Sequence, residues 1–529
     1  MLLRILLLLI FLQTTATAFA QPLPQPNTKF VSPNGKDTDP GTRSKPWASI
    51  QYALDQARAG TTIALLPGMY NQRVQIKDKS GTPARWITIK ADKPGTVTVT
   101  GRVPYPGKEN FLGVFELENA AYIQITGLEI THDGNYYTTK DTIRLAGIEI
   151  NPSGHHIRLE NNDIHSVNRR NSTTHEYAYP IIAWSMKDNA TSIHHLEIVG
   201  NKIHDSKTNR GDNSIYCEMI HLLGNLNHVL ISDNEVYNSE SSGVSVAGNY
   251  RPAAACASLS LENDRVRNVV IRNNVFRNMR DFGVYVNGCN NVLIEQNYIE
   301  DCGHGIGVLT ETGKIDKGNH CKEGLPSERV WIRNNIVNAS RNSDLVLGMY
   351  RTHVTRNYYE PVKDIYVTNN TFLGAKADPG SSAIMLLPGI LGKCRFLNNI
   401  VASNGFLLTR TDTTGFDNMI MLDYNLWHST SPFPFRYGSK DSLPTRNFDN
   451  HRMDTKQDAN SLFKSQFFGP IPLRRNSFRL RPPSSAINRG NNKRQPPWYK
   501  GFGDYEKEER DHFKGLRMNG RIDIGADEH

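Results

Sequence analysis

An asparagine precedes a short apolar stretch at nine places in the chain, each time inside a segment with the composition of a β-strand. The nine positions are Asn162, Asn201, Asn234, Asn274, Asn297, Asn335, Asn370, Asn399 and Asn425. Successive copies are separated by 23 to 40 residues, the range of periods found in solenoid proteins. A unit of this size cannot bury its own apolar face, so the units must stack on one another.

The shortest interval shows what one unit contains. Residues 269–276 (VVIRNNVF), 283–288 (GVYVNG) and 292–297 (VLIEQN) are short β-branched runs separated by Asn and Gly, without a helical apolar period. Three strands and tight corners fit into 23 residues, which predicts one rung of a parallel β-helix. Asparagine suits the corners because it tolerates the left-handed backbone region and its amide can bond to the amide of the next rung.

The two ends of the solenoid have different patterns. Residues 47–60 (WASIQYALDQARAG) place Trp47, Ile50, Leu54 and Ala57 on one face of a short helix before Gly60, which predicts an N-terminal cap on the first rung. Beyond residue 428 the repeat gives way to a Pro- and Arg-rich stretch with few apolar runs. We therefore expect a β-helix with its cap over 21–428 and an irregular extension over 429–529 that packs on it.

The first 20 residues have the pattern of an export signal. A basic start over 1–4 is followed by an apolar run over 5–12 and by Ala18-Phe19-Ala20, a small-x-small cleavage site. The apolar run is too short to span a bilayer, and no later segment has the length of a membrane helix. The expected mature protein is secreted or periplasmic, with no membrane segment after cleavage, and no pattern specifies its oligomeric state.

The cysteines are an even set in an exported chain, so disulfides are a candidate feature. They are Cys217, Cys256, Cys289, Cys302, Cys321 and Cys394. No CxxC or Cys/His spacing indicates a zinc site.

Several segments resemble the right-handed parallel β-helix repeat proteins of bacterial exports. They are 30–70 (FVSPNGKDTDPGTRSKPWASIQYALDQARAGTTIALLPGMY), 151–165 (NPSGHHIRLENNDIH), 290–308 (NNVLIEQNYIEDCGHGIGV) and 523–528 (DIGADE). The first is similar to the caps of β-helix polysaccharide lyases. The resemblance implies an all-β, right-handed parallel β-helix with an N-terminal capping helix, a fold shared by lyases, glycoside hydrolases, epimerases and carbohydrate binders. The Asp-Pro-His-Asp motif of alginate epimerases and the Asp-rich calcium-and-lysine constellation of standard pectate lyases are not found in the sequence.

Inserted loops indicate where the function lies. One group precedes the strand that begins at Gly283 in its rung, with members at 166–179 and 205–215; the other group follows that strand, at 249–266, 310–328 and 349–361. Because both groups bracket the same strand of successive rungs, they should wall a groove whose floor is one sheet. Long loops on a rigid scaffold commonly carry function.

Alternation along the strands predicts which side chains form that floor. In 283–287 the valines point inward, so Tyr285 and Asn287 point outward. The expected outward column comprises Glu149, His221, Ser245, Tyr285, Gly307, Val346 and Met385. The rung containing Ala183 or Trp184 falls between the first two, and the sequence leaves its register open. With rungs about 4.8 Å apart, Glu149, His221 and Tyr285 would follow one another at about 10 Å. Only the first half of the column is polar enough for acid–base chemistry.

The candidate site residues fall into two groups. The candidate catalytic residues are His221, Tyr285, Glu311 and Glu149, and the candidate substrate-binding residues are Glu218, Arg280, Asp281, Asn287, His304 and Arg351. The carboxylates could also hold a calcium ion, as in many β-helix enzymes, although no Asp/Glu cluster has the spacing of a calcium loop. The structural alternative for each residue is ordinary: an outward Tyr often supports a loop, and a loop Glu or His is often only solvated.

Charge indicates the class of partner. The chain has 61 Lys and Arg against 52 Asp and Glu, a net charge of +9 and a pI near 9.1, which favours an acidic partner. The export signal and the lack of a nucleic-acid-binding motif argue against nucleic acid. An acidic polysaccharide lying in an open groove is the expected partner.

Three functions remain open at this point. The first is a polysaccharide lyase cleaving a uronate-containing polymer by β-elimination, with His221 and Tyr285 as base and acid in either order. The second is a glycoside hydrolase using two of the carboxylates Glu149, Glu218, Asp281 and Glu311. The third is a non-catalytic exopolysaccharide-binding or matrix protein, in which that column would tolerate substitution.

Overall fold

The chain winds into rungs of three strands, and the strands stack into three sheets of 13 strands each. The computed structural model describes residues 27–103, 111–134, 144–168, 177–185, 191–207, 217–248, 265–311, 326–338, 340–350, 362–374, 381–390, 393–411, 419–438, 444–463, 489–491 and 496–497. The predicted signal peptide lies outside these residues. Within them, every strand pair except the last in one sheet is parallel, which confirms the predicted all-β parallel β-helix.

The strands of each sheet are given in chain order. Sheet 1 comprises Asn27–Val31, Thr61–Leu65, Ile87–Ala91, Ala120–Thr126, Gly154–Glu160, Ile193–Val199, Leu226–Ser232, Arg267–Arg272, Asn290–Glu295, Ser327–Arg333, Val362–Thr368, Cys394–Leu397 and Ile420–Asp423. Sheet 2 comprises Val74–Lys77, Phe111–Glu118, Arg144–Ile150, Tyr177–Ser185, Ile220–Gly224, Val244–Ala247, Phe282–Asn287, His304–Glu311, Ser343–Tyr350, Ser382–Leu386, Phe406–Arg410, Phe435–Tyr437 and Thr445–Arg446. Sheet 3 comprises Gly68–Asn71, Val97–Thr100, Glu129–Asp133, Asp163–Asn168, Lys202–Ser206, Glu235–Ser239, Val275–Met279, Tyr298–Glu300, Ile336–Asn338, Thr371–Phe372, Ile400–Ser403, Leu426–Ser429 and Leu462–Phe463.

The asparagine repeat forms a buried ladder at the corner between sheets 1 and 3. Asn274 donates its backbone N–H and its side-chain Nδ2 to Oδ1 of Asn297, each at 3.0 Å, and Asn297 repeats both bonds to Asn335. Each amide also donates to a backbone carbonyl, as Asn297 Nδ2 does to Ile271 at 2.9 Å. The ladder runs from the backbone N–H of Leu128 to the hydroxyl of Ser461.

One detail of the corner differs from the expectation. The left-handed backbone is not at the ladder asparagine but at the residue before it, for example at Asn273 (φ 55°) and Asn334 (φ 56°). The reason is that the ladder asparagine points its amide into the core, whereas the preceding residue makes the bend from sheet 1 to sheet 3. Asparagine recurs at both positions because it tolerates positive φ and because its amide both donates and accepts.

The predicted N-terminal cap is confirmed. A helix spans Ile50–Gln56, begins at Ser49, whose side chain accepts from the backbone N–H of Tyr52, and buries Ile50, Ala53 and Leu54. Its apolar face therefore covers the open end of the first rung, where there is no preceding rung to supply contacts.

The first part of the C-terminal extension is more regular than expected. The strand Phe435–Tyr437 continues sheet 2, the strand Leu462–Phe463 continues sheet 3, and a helix spans Phe448–Thr455 between them. Buried His451 of this helix stacks on Phe435 at 4.2 Å and bonds to Asp458 at 2.9 Å, so these residues close the last rung. Short strands here lack the asparagine signal, which is why the sequence did not predict them. The domain boundary after residue 428 stays a prediction.

Further along the extension, Asn491 meets the corner of an earlier rung. Its backbone N–H donates to Oδ1 of Asn398 at 2.7 Å, and Nδ2 of Asn398 donates to its carbonyl at 3.0 Å. The packing of the whole extension on the β-helix stays a prediction.

Four cysteines are buried and not in disulfides: Cys217, Cys289, Cys302 and Cys394. Disulfides are therefore not a feature of the described part of the fold, because each of these thiols fills a core position instead. Cys256 and Cys321 lie outside the described residues. No helix within the described ranges has both the length and the apolar character needed to cross a bilayer.

Candidate functional site

The predicted outward column exists on sheet 2. Strand register aligns Glu116, Glu149, Ile182, His221, Ser245, Tyr285, Gly307, Val346 and Met385 in neighbouring strands. The rung of Ala183 and Trp184 lies between those of Glu149 and His221, as predicted, and its residue in register, which the sequence left open, is Ile182. Ala183 is inward, and Trp184 stands two residues further along the outward face. We call this set the floor column.

The insertions flank sheet 2 in chain order. The undescribed segments 135–143, 169–176 and 208–216 each precede a sheet 2 strand, and 249–264, 312–325 and 351–361 each follow one. The two predicted groups of insertions therefore do bracket the strands that carry the floor column. Glu311 ends its strand with its side chain outside the described part of the chain, and Arg351 lies outside it altogether.

Two carboxylates occupy neighbouring positions in the floor column. Glu116 forms an ion pair with Arg73 and also accepts from Gln75 at 3.2 Å and from the backbone N–H of Gly113 at 2.8 Å. Glu149, in the next strand, accepts from Nε1 of Trp184 at 2.9 Å. Burial raises the pKa of Glu149 to about 7, against the opposing effect of the Trp184 hydrogen bond. The two neighbours therefore differ: Glu149 carries a proton that it can exchange near neutral pH, whereas Glu116 is held by cationic and polar donors.

His221 lies two strands beyond Glu149 and is buried. Its ring stacks on that of Tyr179, with centroids 5.2 Å apart and planes within 14°. Burial lowers the pKa of His221 to about 4, so the imidazole is neutral at neutral pH. Its Nδ1 has no hydrogen-bond partner among the described residues. A neutral imidazole has one unprotonated ring nitrogen, which is the chemical form of a general base.

Tyr179 is the aromatic residue that the alignment did not single out. Burial, followed by the charge of Glu218, raises its pKa well above the usual value, so the phenol keeps its proton. Glu218 itself is half-buried beside it. Arg144, opposite Tyr177 in the register, places its guanidinium 4.7 Å from that ring. Three adjacent strands thus bring together a cation, a proton-holding phenol and a neutral imidazole.

The predicted residues further along sheet 2 form a separate, more apolar group. Tyr285 lies two strands beyond His221 and packs with Leu309 and Val346. Phe282 joins it, its ring centroid 5.1 Å from Tyr285 and 4.8 Å from His304. Burial lowers the pKa of His304 to about 4. This part of the floor offers rings and aliphatic surface more than acid–base chemistry.

Three further candidates have clear positions. Asn287 is fully buried at the end of its strand. Arg280 and Asp281 occupy the corner between sheets 3 and 2, where the Arg280 N–H donates to the Ser239 carbonyl at 3.0 Å and the Asp281 carbonyl accepts from the His304 N–H at 2.6 Å. Their backbones therefore shape the entry to the floor strand, and the structure does not bring their side chains together with the first group.

Calcium has no evident ligand set in the described chain. Among these residues, one group of three or more His, Cys, Asp or Glu side chains is placed to hold a metal ion, and it consists of His156, His194 and His195 on sheet 1. Calcium requires oxygen ligands, so these imidazoles do not fit it. The Glu116–Glu149 pair supplies two carboxylates, with Arg73 already bound to one of them.

Comparison with known proteins gives family matches along much of the chain. The model of the right-handed β-helix region matches residues 113–321 and 218–420, and that of the Pel9A-like right-handed β-helix region matches residues 29–191. The uncharacterized protein YwoF of Bacillus subtilis is 28% identical over 138 residues, 26% of this chain and 28% of YwoF. Pectate lyase PEL9 of Emericella nidulans is 34% identical over 111 residues, 19% of this chain and 27% of that protein. The chain thus spans little more than a quarter of these curated relatives.

A solved structure of pectate lyase Pel9A aligns over 95% of this chain and 96% of its own, with 14% identity and a TM-score of 0.44. The structure of XylC with xylose aligns over 83% and 86%, with 13% identity and a TM-score of 0.48. Because the right-handed β-helix model covers residues 113–420, more than half of the sequence, and the strands stack into three sheets, the chain belongs to the right-handed β-helix family.

Proposed function

We propose that the protein cleaves a uronate-containing polysaccharide by β-elimination on the floor of sheet 2. The observation that carries the proposal is the stacked pair of His221 and Tyr179, in which one buried ring is neutral and the other keeps its proton. The partial likeness to pectate lyase PEL9 and the net charge of +9 support an acidic polysaccharide as substrate.

β-Elimination requires a base for the proton on C5 of the uronate and an acid for the departing glycosidic oxygen. His221 takes the base role, because its pKa of about 4 leaves the ring unprotonated at neutral pH. Tyr179 takes the acid role. Since their rings are 5.2 Å apart, the two groups can reach neighbouring atoms of one sugar unit. Tyr285, about 10 Å further along the column, is better placed to contact the next part of the polymer.

Removal of the C5 proton places negative charge on the uronate carboxyl group, so a nearby cation lowers the barrier. Arg144 supplies that charge, since its strand borders the one that carries Tyr179. Arg144 lowers the pKa of the Tyr179 phenol, and Glu218 raises it. A substrate carboxylate bound to Arg144 therefore keeps the phenol protonated until the leaving oxygen takes its proton.

The assay is ultraviolet absorbance of the mature chain with alginate, polygalacturonate, glucuronan and glycosaminoglycans, each with and without calcium. A calcium ion remains one candidate cofactor, and the secreted or periplasmic location stays a prediction. An increase in absorbance reports an unsaturated uronate and supports the proposal. With that substrate, H221A and Y179F are expected to lose at least about 100-fold in kcat/KM, the usual contribution of acid–base groups.

Sheet 3 offers a matched control for these two variants. His204 stacks on Tyr237 with centroids 4.7 Å apart and planes within 6°, a pair similar in geometry but remote from the floor column. H204A and Y237F should keep activity close to that of the unmodified chain. If they lose as much activity as H221A and Y179F, the losses reflect damage to the solenoid, and the assignment of base and acid fails.

The carboxylate pair favours a second candidate, a glycoside hydrolase. Glu149 and Glu116 are in register on adjacent strands, whose backbones lie about 4.8 Å apart, so their carboxyl groups can adopt the separation of about 5–5.5 Å used by retaining enzymes. We rank it second because Arg73, Gln75 and Gly113 all bind Glu116, which weakens it as a nucleophile. New reducing ends without absorbance, abolished by E149Q, would favour hydrolysis. Binding without either product would favour an exopolysaccharide-binding or matrix protein.

A further inference from the structure

Five histidines gather at the start of three adjacent sheet 1 strands. Strand register aligns His155 with His194, and His194 with Asn227, the neighbour of His228. The rings form two stacked columns, with His155 on His194 at 4.9 Å, His156 on His195 at 4.4 Å and His195 on His228 at 4.9 Å. All five are half-buried, so the cluster reaches the surface.

Neighbouring histidines in one strand also contact each other through their nitrogens. The Nδ1 atoms of His155 and His156 are 2.9 Å apart, and those of His194 and His195 are 2.8 Å apart. In each contact one nitrogen must carry a proton and the other must accept it, so at least one imidazole of each pair directs a lone pair into the cluster. One ring nitrogen from each of His156, His194 and His195 lies within 4.8 Å of the others.

We propose that His156, His194 and His195 bind a divalent late transition-metal ion of the zinc, nickel and copper class. Imidazole nitrogen suits these ions, whereas calcium and magnesium prefer oxygen. At metal–nitrogen distances of about 2.0–2.1 Å, two ligands of one ion lie no more than about 4.2 Å apart. The existing separations, all within 4.8 Å, come into that range by small ring rotations. Three protein ligands leave a coordination position for water or for His155.

The backbone at these positions does not itself require histidine. His156, His195 and His228 have φ between 50° and 54°, in the left-handed region, and Asn268 and Asn291 have φ of 54° and 58° in the following rungs. There the asparagines form a ladder of their own, with Nδ2 of Asn268 donating to Asn227 at 2.7 Å. Asparagine therefore satisfies the corner, and the change to imidazoles over three rungs adds nitrogen ligands that the turn does not need.

Imidazole coordinates a metal ion only through an unprotonated nitrogen, and the two Nδ1–Nδ1 contacts require such a nitrogen in each pair. The site lies on sheet 1, whereas the floor column lies on sheet 2, so metal binding here is independent of the proposed catalysis. An ion would tie two successive rungs together.

The test uses the mature chain without an affinity tag, titrated with Zn²⁺ by calorimetry and with Co²⁺ by visible absorption. We expect one ion per chain and a nitrogen-rich Co²⁺ spectrum. H194N and H195N, which introduce the residue type found in neighbouring rungs, should weaken Zn²⁺ binding at least about tenfold. H228N changes the same ladder without removing a proposed ligand and should leave the affinity unchanged. Zn²⁺ should also raise the unfolding temperature of the unmodified chain but not of H194N/H195N.

Three results would overturn the proposal. The first is no Zn²⁺ or Co²⁺ binding by a chain whose circular dichroism shows the intact β-structure. The second is undiminished binding by H194N/H195N, which would place the ion elsewhere. The third is an equal loss in H228N, which would mean that the ladder only stacks and that binding follows its general packing.

Discussion

Trp184 Nε1 donates a hydrogen bond of 2.9 Å to Oε1 of Glu149 across two adjacent strands of sheet 2. The bond favours the ionised carboxylate, while burial favours the neutral acid, and burial has the larger effect, because the pKa of Glu149 is raised to about 7. The outcome is a carboxyl group that changes charge near neutral pH in the centre of the candidate site.

This carboxyl group makes folding stability depend on pH. Glu149 holds its proton in the folded chain up to about pH 7 but loses it near pH 4.5 when unfolded, so its contribution is complete below pH 4.5 and disappears as the pH rises to 7. The free energy of unfolding should therefore fall by up to about 3 kcal/mol more in the unmodified chain than in E149Q as the pH rises. Urea unfolding at pH 5 and pH 8 measures it. E118Q alters an exposed carboxylate of sheet 2 and serves as the control; equal pH dependence of E149Q and the unmodified chain would contradict the prediction.

The pH profile of catalysis should report the unusual state of His221. Because its pKa is lowered to about 4, the base remains unprotonated in mild acid, and kcat/KM for elimination should fall only below about pH 5. The contribution of His221 to folding stability follows the same direction as its activity: it is complete above pH 6.5 and is lost as the pH falls towards 4. The profile is best measured in E149Q as well, which removes the other titrating group. An acid limb centred near pH 6.5 in both would show that His221 is solvated.

A single break in the asparagine ladder should be costly. N297A removes the acceptor for both the backbone N–H and Nδ2 of Asn274, which leaves the buried N–H without a partner and Nδ2 with only the carbonyl of Ile231. The expected loss is about 3 kcal/mol or more in free energy of unfolding. N278G is the matched control, since Asn278 is exposed and donates a single bond to Asn238, and glycine keeps its positive φ. Similar midpoints of urea unfolding for the two variants would mean that the ladder contributes little.

The buried thiols should not react with a thiol reagent in the native chain. Burial raises the pKa of Cys289 and Cys302 to about 12 and that of Cys217 well above its usual value, so none forms a reactive thiolate at neutral pH. A thiol reagent should therefore detect Cys217, Cys289, Cys302 and Cys394 only after denaturation. Fewer than four thiols in the denatured, non-reduced chain would show that some of these residues form disulfides.

Alternation and repeat spacing were sufficient to predict the floor column from Glu149 to Met385, because each strand has one clear pair of inward aliphatic residues. They failed at Ile182, where the strand Tyr177–Ser185 contains consecutive apolar residues and a proline, and no alternation marks the inward face. They also missed Glu116, because the corner of its rung is Gly127-Leu128 and has no ladder asparagine with which to align the strand.

The contacts that define the candidate site were harder to predict than its location. Tyr179 was visible only as one aromatic residue among several, and its stacking on His221 depends on the positions of two strands separated by a long insertion. The histidine cluster was missed for a related reason. His155 and His156 resemble an ordinary strand start in sequence, and only the stacking of rungs brings His194 and His195 against them.

The asparagine ladder separates what this chain must keep from what it can vary. Its corner, between sheets 1 and 3, is two residues long in each rung from Gly127-Leu128 to Tyr424-Asn425, while six undescribed segments adjoin strands of sheet 2 in the sequence: 135–143, 169–176, 208–216, 249–264, 312–325 and 351–361. The spacing of the rungs is thus fixed at one corner, and the candidate site lies on the sheet that faces it. Loops beside sheet 2 can therefore be exchanged, or a whole rung duplicated, without changing the ladder corner. The same property makes sheet 2 a suitable place for engineered loops.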